Sequence, residues 1–234
     1  MKFEEIYVSG TYLDINPTWH VEKSPWKAQQ IMKMLARGGI APETICEVGC
    51  GAGEILAQLQ KEMPEDCSFL GYEISPQAFE LAKSRENEKL RFKLADIRQV
   101  EGYFDLLLVI DVIEHVEDCI SFLRELQPKS RYKIFHIGLD LTVESLLRSN
   151  VLLGFRNTRG HVGHVHYFTK NIALAMLEDL GYEVLDYFYT RRPLRATDSF
   201  KRKMVQLPRM LCFTLRKDLA VRVLGGYSLL VLAR

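Results

Sequence analysis

Apolar runs of strand length alternate with single helical stretches along this chain. A glycine-rich turn follows the first of those runs, and four successive runs end in, or just before, an acid. Together these features indicate an α/β fold, doubly wound in three layers around a mostly parallel sheet. The chain has 234 residues, enough for one large domain, and residues 1–234 are read as that single domain.

The elements follow in order. Residues 1 to 24 read as an irregular arm carrying Trp19 and His20. Ser24-Pro25 marks a helix start, with serine as N-cap and proline at the first helical position. That helix runs to about Arg37, where Gly38-Gly39 stops it, so 1–37 is arm plus helix. Strands are expected at 44–48, 68–73, 90–94, 104–110 and 132–137, with helices near 53–62, 76–86 and 118–127 between them. Strands joined by single helices imply parallel pairing through right-handed crossovers. Beyond 138 the pattern loosens, then resumes with a helix at 170–180 and strands at 182–190 and 226–234. Segments 138–169 and 191–225 fit the alternation least, and they are read as insertions on the substrate side.

Composition narrows the function. Hydrophobic residues make up 47% of the chain, so a sizeable core can form. With 31 basic and 30 acidic side chains the net charge is +1, which gives no electrostatic case for nucleic acid. Five cysteines without a Cys-x-x-Cys pair argue for a reducing compartment, against a disulfide framework and against zinc. No apolar signal segment opens the chain, and its strongest apolar run, Phe104 to Val116, is broken by charge. The expectation is a cytoplasmic protein without integral membrane contact.

The turn "EVGCGAG" at 47–53 asks which ligand needs so much bare backbone at the end of a strand. A dinucleotide site reads G-x-G-x-x-G. Here Glu54 stands where the last glycine belongs, and an acid in the first helical turn serves a pyrophosphate badly. S-adenosylmethionine has no phosphate and calls for acids instead: one near its amino group, one for the ribose hydroxyls. Glu47 and Glu73, at the ends of the first two strands, suit those tasks. Asp96 follows the third strand, where it could receive the adenine amino group, and Asp111 ends the fourth on the same rim. Ligands of open α/β sheets bind at that rim.

With "EVGCGAG", the acid in "GYEIS", "LADI" and "DVIEHVED", the chain resembles the class I S-adenosylmethionine-dependent methyltransferases. The likeness is to the small-molecule branch that includes the ubiquinone O-methyltransferases. It covers roughly residues 25 to 190 and the final strand. The resemblance implies seven strands, the last inserted antiparallel between the fifth and sixth. It also implies a cofactor pocket lined by Glu47, Gly49, Gly51, Glu73, Asp96 and the backbone at Asp111 and Val112. Cys50, Gly53, Ile74 and Ile97 lie within the same motifs and are counted with that set. Gly53 equally suits helix packing, and Cys50 reads as a small loop residue without chemistry of its own. The family's Pro-Gly-Gly turn before strand five is replaced here by "LQPKSRYKIF".

Asp111, Glu114 and His115 share a face if a helical turn begins there, but the expectation is packing and no metal. In "GHVGHVHYFT", His161 to Thr169, a neutral histidine could take a proton from a substrate hydroxyl. His164 and His166 are the candidates, ahead of His161; solvated or hydrogen-bonded histidines are the plainer reading. Residues 191–225 hold ten Lys or Arg against Asp198 and Asp218, interleaved with Met204, Val205, Leu207, Met210, Leu211 and Phe213. This suits a solvated face, or an amphipathic cover interrupted at Pro208 that binds a greasy or anionic substrate or rests on a membrane surface. The leading expectation is methyl transfer from S-adenosylmethionine to a small molecule, at oxygen ahead of nitrogen or carbon. Its rivals are a non-catalytic module binding the same cofactor and a nicotinamide-dependent oxidoreductase.

Overall fold

The computed structural model describes residues 5–147, 163–191 and 200–234. A seven-stranded sheet runs through it in the order β3-β2-β1-β4-β5-β7-β6. Its strands are β1 (Thr44–Val48), β2 (Ser68–Glu73), β3 (Leu90–Leu94), β4 (Phe104–Ile110), β5 (Ser130–Gly138), β6 (Val184–Thr190) and β7 (Ser228–Ala233). β1 to β5 pair in parallel, whereas β7 is antiparallel to both β5 and β6. Strand order reverses direction at the β1–β4 junction, where α/β sheets open a crevice for ligands.

Alternation along the strands divides the core in two. Cys46, Val48, Leu107, Val109, Phe135 and Ile137 face one layer. That layer contains α6 (Cys119–Leu126) and α8 (Lys170–Asp179). Ile45, Leu106, Leu108 and Ile134 face the other, with α3 (Ser24–Gly38) and α4 (Glu54–Gln60). A third helix, α5 (Pro76–Lys83), packs near β2 and β3. Period-two side-chain exchange is what a strand buried on both faces requires. All five cysteines carry free thiols.

Three expectations need correction. The arm is not irregular: it folds into α1 (Glu5–Val8), α2 (Thr11–Ile15) and a 3₁₀ turn at Val21–Lys23. Because that turn is already wound, α3 begins at Ser24 itself, after Lys23, and the serine makes no capping hydrogen bond. In the C-terminal segment, α9 (Phe200–Leu215) runs through Pro208 without a break. The proline costs that helix one amide hydrogen bond. After α9 comes α10 (Lys217–Leu224), and beyond β5 the described chain holds α7 (Val143–Leu147). His161 and Asp198 lie outside the described residues.

Candidate functional site

The carboxyl ends of β1, β2 and β4 open into three adjoining cavities of about 320, 150 and 70 Å³, and Gly49 lines all of them. The loop after β1 stays low because its glycines take left-handed backbone: φ is 63° at Gly49, 55° at Gly51 and 75° at Gly53. They serve different ends. A Cβ on Gly49 would stand 3.0 Å from Val112, across the crevice, and one on Gly51 would strike the Trp19 ring at 2.6 Å. Gly53 faces away, where a Cβ would meet Phe92 at 2.4 Å. It lines none of the three cavities, so the structure places it in helix–strand packing. The Cys50 thiol likewise points inward, toward Gly71.

Glu47 is buried, and its Oε2 has no hydrogen-bond partner. It falls on the strand face beneath α3, with no backbone donor to satisfy it. Burial pushes its carboxyl up to about 8, against the pull of Lys27. An uncompensated buried carboxylate oxygen in the 320 Å³ cavity is a place made for a cation. Glu73, also buried, is held differently. Its Oε2 accepts the Gly51 amide at 2.7 Å, and its Oε1 accepts those of Ile74 and Ser75 at 2.8 Å each. Burial nevertheless leaves its carboxyl raised, the three amides pulling the other way. Glu73 and Ile74 line the middle cavity beside Val112; Asp96, Ile97 and Tyr72 line the smallest. The Asp96 carboxylate is engaged by the Arg98 guanidinium at 2.6 and 2.8 Å.

Asp111 holds a left-handed backbone, φ 55°, unusual for a residue with a side chain. Its carboxylate pairs with Lys27 at 2.7 Å and with His136. Burial opposes its charge, but the Lys27 ammonium and the His136 ring beside it hold it well below the usual carboxylate range. The Asp111 carboxylate therefore stands outside the cluster that Glu114 and His115 form, although all three residues line the 320 Å³ cavity.

His164 takes its place. Its Nδ1 bonds Asp140 at 2.8 Å, and its ring centroid stands 4.7 Å from that of His115. Burial alone would depress His164, but the Asp140 hydrogen bond and the charge of Glu114 outweigh it, and the net direction is upward. His115 goes the other way, to about 4, through burial and repulsion from His164. Its Nδ1 meets the Tyr7 hydroxyl at 2.8 Å. Glu114 is buried with one carboxylate oxygen unpartnered, and burial followed by the Asp111 charge raises its pKa. Ligand atoms of Glu114, His115 and His164 lie within 4.8 Å of one another. His166 sits elsewhere: its Nε2 lies 2.9 Å from the Val116 carbonyl, and it lines none of the cavities.

Sequence reasoning missed Lys27, Asp140, Tyr7 and Tyr12. Lys27 follows the anticipated helix start by two residues, but nothing local shows which face of α3 it occupies. Trp19 covers Gly51 and lines the 320 and 150 Å³ cavities, while Trp26 packs edge-on against His136 with centroids 6.0 Å apart.

Sheet order, glycine loop and acids together define a class I, Rossmann-like methyltransferase architecture. Residues 41–179 match the model of the methyltransferase domain family, and the chain belongs to that family. Among curated relatives, norajmaline N-methyltransferase from Rauvolfia serpentina is 31% identical over 93 residues, 36% of this chain and 31% of that enzyme. The matches thus span about a third of the length of the first curated relatives. Among solved structures, magnesium protoporphyrin IX methyltransferase from Synechocystis PCC 6803, with bound S-adenosylmethionine, superposes with a TM-score of 0.61. It is 14% identical, over 98% of this chain and 93% of that one. The plantazolicin methyltransferase BpumL, in complex with S-adenosylhomocysteine, gives 0.62 at 16% identity, over 100% and 97%. The cofactor of this family's fold is S-adenosylmethionine. The orphaned Glu47 oxygen, the open backbone at Gly49 and the Glu73 carboxylate at the middle cavity all fit it. Among the described residues no helix is long and apolar enough to cross a membrane.

Proposed function

We propose that the protein transfers a methyl group from S-adenosylmethionine to an oxygen of a small-molecule acceptor. Bound across the three cavities, the cofactor would supply an electrophilic sulfonium methyl. Glu47 would face its amino group and Glu73 its ribose. Asp96 and Ile97 would line the adenine end, where the Arg98 pairing leaves the carboxylate less free than the sequence implied.

The observation that carries the acceptor assignment is the Asp140–His164 pair, 2.8 Å apart, at the 320 Å³ cavity. Asp140 occupies Nδ1 and fixes the tautomer, leaving Nε2 as the nitrogen that can accept a proton. A hydroxyl acceptor must lose its proton as oxygen attacks, so a positioned base accelerates it. Glu114, close by, stabilises the imidazolium that results. Holding acceptor and methyl donor in line is the larger contribution of a closed cavity. The small-molecule branch fits the absence of an Asn/Asp-Pro-Pro-Tyr motif after β4, where this chain reads Asp-Val-Ile. A nitrogen acceptor is the second reading, favoured by the N-methyltransferases among the relatives.

The test is methyl transfer from labelled S-adenosylmethionine to panels of phenols, carboxylic acids and amines. The reading expects label in phenolic ether or alkali-labile ester products. Label confined to amines would favour nitrogen, and no transfer to any panel or metabolite extract, despite cofactor binding, would favour a non-catalytic module.

A further inference from the structure

The outer face of the C-terminal helices has the polarity of an interior. α9 packs inward through Phe213, stacked on Tyr227 at a centroid distance of 4.8 Å, and through Arg209, which pairs with Glu144 at 3.1 Å. A helix seated that way should turn polar residues to solvent. Instead Met204, Leu211 and Leu215, spaced by seven and four on the opposite side, are exposed, Leu215 to 75%. Beside it, α10 presents Leu219, and α7, which packs on α10, presents Leu146 and Leu147, the last 77% exposed. Large apolar side chains are thus exposed on each of three helices in contact, α9 with α10 and α10 with α7, beyond the scattered exposure normal on a protein surface.

The surroundings of the patch are cationic. Lys217 and Arg222 are exposed on α10, and Arg216 is exposed at the junction between α9 and α10. The nearby acid, Asp218, is engaged by Lys170 at 2.7 Å and by Tyr189. In sequence, residues 191–225 hold ten basic side chains against two acids in a chain of net charge +1. Apolar side chains flanked by lysine and arginine match the head-group boundary of an anionic bilayer. A second copy of the chain would set like charges against each other.

We propose that the face formed by α7, α9 and α10 docks on an anionic lipid surface, its leucines and Met204 entering the head-group boundary and its basic side chains meeting phosphates. α7 starts at Val143, just past Asp140. On the acceptor reading above, docking would therefore bring the acceptor cavity close to lipid; the docking itself does not depend on that reading.

The test is sedimentation of the full chain with vesicles of phosphatidylcholine alone or mixed with phosphatidylglycerol. The expected result is binding to the anionic vesicles at least tenfold tighter than to neutral ones, weakened by salt. Leu211→Glu with Leu215→Glu should abolish it, and Arg216→Ala or Lys217→Ala should each weaken it roughly fivefold. Because these side chains are exposed, thermal midpoint and S-adenosylhomocysteine affinity should stay unchanged in every variant. Three results would overturn the proposal. They are no preference for anionic vesicles, equal binding by wild type and the double glutamate variant, or lipid-free self-association that Leu211→Glu removes. The last would make the patch an interface between copies.

Discussion

On the function proposed above, the cofactor half and the acceptor half of the site share one rim of one sheet, yet they are assembled by opposite means. On the cofactor side, the determinants sit at the ends of consecutive strands and act largely through backbone: the glycine loop, and the amides that Glu73 ties together. On the proposed acceptor side, the groups are side chains brought from distant segments: Lys27 from α3, Glu114 and His115 after β4, Asp140 after β5 and His164 before α8, with Tyr7 of α1 bonded to His115 from the adjoining cavity. One half is a property of the fold, the other of this particular chain. Substitutions should therefore separate them.

The largest expected effect is on His164→Ala. Loss of a positioned base should lower kcat/KM by about 10² to 10⁴, with cofactor affinity within a factor of two, as read by steady-state kinetics and calorimetry. Equal losses in both would erase the division between the halves. Glu73→Ala should do the reverse. Removing a carboxylate that accepts three buried amides should weaken S-adenosylhomocysteine binding by about 3 kcal/mol or more, since charged hydrogen bonds contribute roughly 1.5–3 kcal/mol each. Glu114→Ala should weaken it less. Wild-type affinity in Glu73→Ala would take this residue out of the cofactor half.

A smaller effect sharpens the acceptor half. Asp140→Asn should lower turnover about tenfold and move the acidic limb of the pH–rate profile downward. The sign follows from the raised pKa of His164: a base must be neutral to act, so activity appears as pH climbs through that value, and losing Asp140 lowers it. An unmoved limb would deny Asp140 its positioning role. The smallest expected effect is that of chelation. Although Glu114, His115 and His164 come within 4.8 Å, the Asp140 and Tyr7 bonds already engage both histidines. Turnover should survive EDTA; its loss and recovery with magnesium would make the cluster a metal site.

The same division explains what was legible in the sequence. All seven strands, the glycine loop and the acids Glu47, Glu73 and Asp96 could be found because each is announced by residues adjacent in the chain. The antiparallel last strand came from family resemblance; nothing local in "GYSLLVLAR" declares its direction. Gly53 could not be assigned, since packing on Phe92 and contacting a ligand ask the same thing of a glycine. The pairing of Asp111 with Lys27 and His136 depends on a left-handed backbone that no neighbouring residue announces. His164 and His166 looked alike in sequence, and only tertiary placement gives one Asp140 and the other a backbone carbonyl.

The claim beneath both halves is that this rim is shaped for S-adenosylmethionine and not for a dinucleotide. Calorimetric titration of the wild-type protein with S-adenosylhomocysteine and, separately, with NAD tests it directly. The account predicts saturable heat with the sulfur compound and none with NAD. Saturable heat with NAD alone would contradict it.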